Sequence, residues 1–168
     1  MIAKVLNVCT SPRTGTQKQP VERVNIVAGF GLMGDAHGGG GHRQVSLLAD
    51  ESAARIRGQG VAVGPGDFGE NILTRGIELA ALPVGAILRI GDVELEISQI
   101  GKECHTRCAI FHAAGTCAMP TDGVFCTVRK GGSVSPGVKI EVRGLHGGGK
   151  FYEINVGVPG QPEPQLVK

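Results

Sequence analysis

Tryptophan is absent from this chain, tyrosine occurs once, at Tyr152, and aromatic residues make up 4% of 168 positions. Charge of one sign is lacking too: 17 basic residues face 15 acidic ones, a formal net charge of +2. Binding to duplex nucleic acid needs a concentrated basic face, so that class of partner is excluded. Long apolar runs are also missing. The longest, residues 79–88, spans ten positions and contains Pro83 and Gly85, whereas a membrane-crossing helix needs about 20. Lys4 and Asn7 interrupt the apolar segment near the start, so no secretory signal is expected and the chain reads as cytoplasmic. The five cysteines, Cys9, Cys104, Cys108, Cys117 and Cys126, are an odd number in such a setting. They argue against a disulfide framework and for thiol or metal chemistry, or for inert burial.

What the sequence has in excess is glycine, 28 residues where about 7% is usual. Glycines scattered among short apolar runs predict a sheet-rich protein with tight corners. Strands are expected at 2–8, 21–27, 44–48, 71–73, 86–90, 93–98, 124–129 and 138–143. Gly91-Asp92 is a two-residue hairpin connection between two of them. Asp50 is expected to cap a short helix that runs to about Arg57, and residues 104–114 to hold a second helix ended by Gly115. The prediction is a mostly β protein, an antiparallel β-barrel with one or two short helices. It would fill residues 1–143, with a glycine- and proline-rich tail over 144–168.

Two motifs mislead. Residues 29–34 spell G-x-G-x-x-G, yet a dinucleotide site needs a helix starting at the third glycine. Gly34 instead leads through Asp35, Ala36 and His37 into four consecutive glycines, which cannot sustain one. Residues 144–150 spell G-x-x-x-x-G-K, but Phe151 follows where a phosphate loop requires Ser or Thr. Both readings are rejected.

The densest chemistry lies at Lys102-Glu103-Cys104-His105-Thr106-Arg107-Cys108. Cationic neighbours favour thiolate over thiol, which makes Cys104 a candidate nucleophile or soft-metal ligand. Cys108, Cys117 and Cys126 read as inert, Cys126 because it falls within a strand. A rival reading is structural zinc on Cys104, Cys108 and His112, recurring every four residues, with Cys117 as fourth ligand.

Several segments in order then carry a resemblance. They are Gly34-Asp35-Ala36-His37, His42-Arg43-Gln44-Val45-Ser46, Phe68-Gly69-Glu70-Asn71-Ile72, the hairpin at Gly91-Asp92, and Ser98-Gln99 ahead of Cys104. Together they resemble the MOSC domain, the family named from the C-terminal part of molybdenum cofactor sulfurase and known also as stand-alone bacterial proteins. The resemblance implies a β-barrel whose cysteine carries sulfur as a persulfide or binds molybdenum, with the molybdenum cofactor (molybdopterin) as ligand or substrate. Carried over, Cys104 becomes the catalytic and metal-binding residue. Asp35, His37, Arg43, Glu70 and Asn71 become cofactor-binding residues. The family's Pro-Arg-x-Pro-Cys segment reads Ile100-Gly101-Lys102-Glu103-Cys104 here, which leaves Lys102 or Arg107 in the arginine's place. The expected partners are a separate pyridoxal-phosphate cysteine desulfurase as sulfur donor and a molybdoenzyme or cofactor-synthesis protein as acceptor. No pyridoxal phosphate is expected in this chain. A non-catalytic molybdopterin-binding module and a zinc-stabilised interaction domain are the alternatives.

The glycine and proline content of the tail offers little to bury. A chain ended after Gly147 is therefore expected to keep a cooperative thermal transition, and its loss would place the tail in the core.

Overall fold

The computed structural model describes residues 2–14, 17–103, 109–115 and 117–145. Among them the chain forms β1 (Lys4–Thr10), β2 (Gln19–Val21), β3 (Val24–Val27), β4 (Gly31–Leu32), β5 (Val45–Ala49), α1 (Asp50–Arg57) and β6 (Ile72–Arg75). There follow a 3₁₀ turn at Leu79–Ala81, then β7 (Ala86–Ile90), β8 (Val93–Ile100), α2 (Ala109–Ala114), α3 (Met119–Asp122), β9 (Val124–Lys130), β10 (Gly132–Val134) and β11 (Ile140–Leu145). The mostly β class is as expected. The large sheet has the order β11-β7-β8-β9-β5-β6-β1-β2, and a small one has the order β10-β3-β4.

Alternation along the strands explains how two apolar layers form. Val45, Leu47 and Ala49 of β5, Ile72 of β6, and Val124 and Cys126 of β9 face one core, which the small sheet covers with Val24, Ile26, Leu32 and Val134. Leu48, Leu73 and Phe125 point the other way, onto Ala53 and Ile56 of α1, Ile110 of α2 and Met119 of α3. A strand covered on both faces has no polar side to show, and all five residues of β5 are buried.

The sheet corrects the expected antiparallel barrel in two respects. First, β5 and β6 are parallel, with Leu47 opposite Ile72 and Leu48 opposite Leu73. The connection between them carries α1 over one face of the sheet, so the chain re-enters in the same direction. Second, the ladder does not close. One edge of β1 is divided: Val8 to Thr10 pair with β2, and only a single Lys4–Lys139 bridge reaches the start of β11. Val5 N–H to the Val138 carbonyl and Ile140 N–H to the Ala3 carbonyl, each 2.9 Å, hold that seam.

The hairpin at Gly91-Asp92 joins β7 to β8 as expected, with Gly91 at φ +61° in the position where such loops need glycine. The strand expected over 21–27 is broken into β2 and β3. Asp50 does not cap α1. The residue before the helix is Ala49 with no side-chain bond, and the Asp50 carboxylate instead takes Arg57 and Arg75, at 3.0 and 3.2 Å. The helix expected over 104–114 is seen as α2, residues 104–108 lying outside the described part. The last strand runs to Leu145, so the 143/144 boundary falls inside it. The tail reading over 146–168 lies outside the described residues.

Cys126 has no exposed surface, and burial, with Glu96 adding to it, pushes its thiol far above the ordinary range. Burial likewise pushes the Cys9 thiol up to about 12. Both are expected to resist alkylation at neutral pH until the protein unfolds. Cys126→Ser should cost about 1–3 kcal/mol by placing a hydroxyl in an apolar layer, read as a lower denaturant midpoint; an unchanged midpoint contradicts that packing.

Candidate functional site

Two polar clusters lie along the glycine-rich segment 29–43, and they differ in character. The first is buried. Lys18, 1% exposed, comes from the loop before β2, and Asp35, 7% exposed, from the turn after β4. Lys18 Nζ lies 2.7 Å from Asp35 Oδ1, 2.8 Å from His37 Nδ1 and 3.3 Å from Ser11 Oγ. Asp35 also accepts the backbone N–H of Ser11 at 3.0 Å and of His37 at 3.2 Å. Burial alone would raise the Asp35 carboxyl. The bonds from His37, Lys18 and Ser11, together with the Lys18 charge, outweigh it and hold the group well below the usual carboxylate range.

The second cluster is open. At the end of β8, Gln99 Oε1 accepts from His42 Nε2 at 2.7 Å and from Arg43 Nε at 3.1 Å. The Arg43 guanidinium lies 5.2 Å from the centre of the Phe125 ring. Ser98 Oγ donates to the His42 carbonyl. Gln99 Nε2 donates to the Gly101 carbonyl at 2.8 Å, tying this group to the backbone that leads to residues 102–104. Gly101 N–H binds the Gly123 carbonyl at 2.6 Å, and Lys102 N–H the Pro120 carbonyl at 3.1 Å. Gly101 has φ +71°, and a Cβ there would sit 2.3 Å from the Pro120 carbonyl oxygen, so only glycine fits this close approach. Between the clusters, a Cβ added at Gly39, Gly40 or Gly41 would meet no atom within 4 Å, so this stretch of backbone faces open space.

Glu70 and Asn71 are buried completely, and their polar atoms have protein partners. Glu70 accepts Gly66 N–H at 2.5 Å and Phe68 N–H at 3.2 Å. Burial, only partly offset by those bonds, raises its carboxyl to about 7. Asn71 Oδ1 accepts Ser46 N–H at 3.0 Å and its Nδ2 donates to the Cys9 carbonyl at 3.2 Å. In this way the F-G-E-N element locks β1, β5 and β6 together. The carbonyl of Gly66 in turn accepts Lys18 N–H at 3.0 Å, so Glu70 shapes the loop that brings in Lys18.

Of the residues singled out by sequence, the structure places Asp35 with His37 and sets Arg43 apart, beside Gln99. Lys102 is half-buried and contributes its backbone N–H. Cys104, Arg107 and Cys108 lie outside the described residues. His112 is exposed on α2, and among the described residues no group of three His, Cys, Asp or Glu side chains is placed to hold a metal. Sequence reasoning missed Lys18, Ser11 and Phe125, and it noted Gln99 in a motif without giving it a role in the site. The signal for Lys18 was faint: a buried Asp35 needs a cation, and Lys18 is one of two, with Arg13, in a polar loop.

The sequence matches the family model described as the MOSC domain over residues 34–143. The fold is similar to that of the YUAD protein from Bacillus subtilis, at 21% identity and a TM-score of 0.72, covering 84% of this chain and 96% of that one. It is also similar to YiiM from Escherichia coli, at 21% identity and a TM-score of 0.60 over 84% and 69% of the two chains. YiiM from Geobacillus stearothermophilus gives 18% identity and 0.62, over 83% and 74%. Among curated protein sequences no match was found.

Asp35 and Glu70 give opposite pH limbs. Asp35 is depressed, so its contribution is present above about pH 4, the unfolded value, and is lost as pH falls from there. Glu70 is raised from 4.5 to about 7, so its contribution is present below the lower value and lost as pH rises through the upper one. The loss between pH 5 and 8 should be on the order of 3 kcal/mol. Urea midpoints at those two pH values should fall in the wild type and much less in Glu70→Gln. Equal falls would dissociate the limb from Glu70.

Proposed function

The chain belongs to the MOSC domain family, and from that premise we propose that it is a sulfur carrier for a molybdenum-cofactor-related ligand, working through the thiol of Cys104. The observation that carries the proposal is the arrangement at the end of β8. There Gln99 gathers His42 and Arg43 and bonds the Gly101 carbonyl, three residues before the cysteine. Cationic and N–H donors thus stand at the base of the segment that bears the thiol.

The residues present fit molybdopterin, which carries both a phosphate and a dithiolene. Arg43, His37 and the open backbone of Gly40 and Gly41 are donors for the anion, with Lys102 and Arg107 as further cations nearby in sequence. A thiolate at Cys104 suits the soft sulfur or metal end. Asp35, Glu70 and Asn71, which the resemblance assigns to cofactor binding, serve here by positioning: Asp35 holds His37, and the other two hold the strands beneath. When bound, the cofactor supplies the molybdenum–sulfur chemistry.

In the carrier role, the Cys104 thiolate attacks the outer sulfur of a persulfide held on a cysteine desulfurase. A new S–S bond forms at Cys104, the donor's S–S bond breaks, and the donor cysteine leaves as thiolate. A thiolate of the acceptor, a molybdoenzyme or a cofactor-synthesis protein, then attacks that outer sulfur: an S–S bond forms on the acceptor, the one at Cys104 breaks, and Cys104 leaves as thiolate. Persulfide exchange of this kind needs reduced thiols, which supports a cytoplasmic setting for it. No helix among the described residues is long and apolar enough to cross a membrane.

Incubation with a cysteine desulfurase and cysteine should add one sulfur atom to the intact mass, and Cys104→Ser should abolish the adduct without changing the thermal midpoint. Cys104 should also alkylate at near-neutral pH faster than the other four cysteines. Arg43→Ala should slow both reactions. An adduct that survives Cys104→Ser and disappears with Cys108→Ser moves the active thiol four residues on. Tight molybdopterin binding with no adduct favours a binding module instead.

A further inference from the structure

Lys18 takes no part in the chemistry above, yet its side chain is wholly enclosed. An ammonium has three N–H donors and no acceptor, and the contacts to Asp35, His37 and Ser11 use all three. They also fix the histidine. With the ammonium as donor at 2.8 Å, Nδ1 accepts, and this assigns the ring proton to Nε2. The ring is 43% exposed, and His37 lies two residues before Gly39, Gly40 and Gly41, where added Cβ atoms would meet nothing within 4 Å.

We infer that Lys18 is a positioning residue that sets the tautomer of His37, so that Nε2–H is a fixed donor to a phosphate oxygen of the ligand. This deepens the cofactor reading above, on which the identity of the phosphate-bearing ligand rests. Asp35 is the reason an ammonium is needed. Its Oδ2 lies 3.7 Å from His37 Nδ1. Without Lys18 the buried carboxylate would lose its cation and draw the imidazole proton to Nδ1, leaving Nε2 a bare acceptor that repels phosphate. A second partner on the far nitrogen is the usual way a protein fixes which face of a histidine donates.

The test is nitrogen-resolved NMR of the full chain at about pH 8, above the ordinary histidine range, with inorganic phosphate as the probe. In the wild type the His37 resonances should show the proton on Nε2, and phosphate should shift them. Lys18→Arg, which keeps a cationic donor, should preserve that pattern. Lys18→Met should move the proton to Nδ1 and weaken phosphate binding about tenfold, as should His37→Ala, the loss of one charge-assisted bond. A wild-type proton on Nδ1, or equal phosphate affinity in the wild type and His37→Ala, overturns the inference. If Lys18→Met does not fold, the wild-type spectrum, Lys18→Arg and His37→Ala decide the matter alone. None of these measurements involves a sulfur donor, so failure of the Cys104 adduct and failure of this inference are separate results.

Discussion

The interaction on which the rest of the site depends is the buried pair of Lys18 and Asp35, 2.7 Å apart with both side chains shut off from solvent. As a source of stability such a pair is poor, because the desolvation of two ions cancels most of their attraction. Its effect is directional. It joins the loop before β2 to the turn after β4, and Ala36 N–H adds a 2.9 Å bond to the Ser11 carbonyl. A loop with four consecutive glycines has no side chains of its own to define a path. The ion pair at one end and Arg43 over Phe125 at the other supply the definition.

The sheet contributes a second layer of control. Cross-strand register sets Gln99 opposite Phe125 and Phe125 opposite Ser46, and Ser46 is bonded to Asn71. One row on one face of the sheet thus runs from the mouth of the site to the buried F-G-E-N element. The apolar member of that row, Phe125, also packs in the layer with Met119 and Ile110. The helices that cover the sheet and the groups that face the ligand are therefore held by the same strands.

Much of this was legible in sequence, for identifiable reasons. Val24, Asn25, Ile26 and Val27 alternate, and the structure buries the first and third and exposes the others. Gly91-Asp92 between two apolar runs specified its hairpin. The strand order was not readable, because a parallel β5–β6 pair and an antiparallel one present similar apolar runs. Short pieces such as β4, β10 and α3 exist through tertiary pairing and leave no periodic trace. At the site, Asp35, His37 and Arg43 stood out by motif. Lys18 did not, since its placement involves a close backbone approach to Gly66, where a Cβ would lie 2.1 Å from the Lys18 carbonyl oxygen. That contact brings together segments 48 residues apart, and no local pattern encodes it.

The seam between β1 and the start of β11 has a meaning for how the molecule is made. Lys4 and Val5 leave the ribosome well before Val138, Lys139 and Ile140, which follow nearly all of the described residues. Until then half of one edge of β1 has unpaired backbone groups, the kind of edge to which another nascent chain adds. The protein therefore passes through synthesis with this border open, and it is sealed only when β11, the last strand among the described residues, arrives.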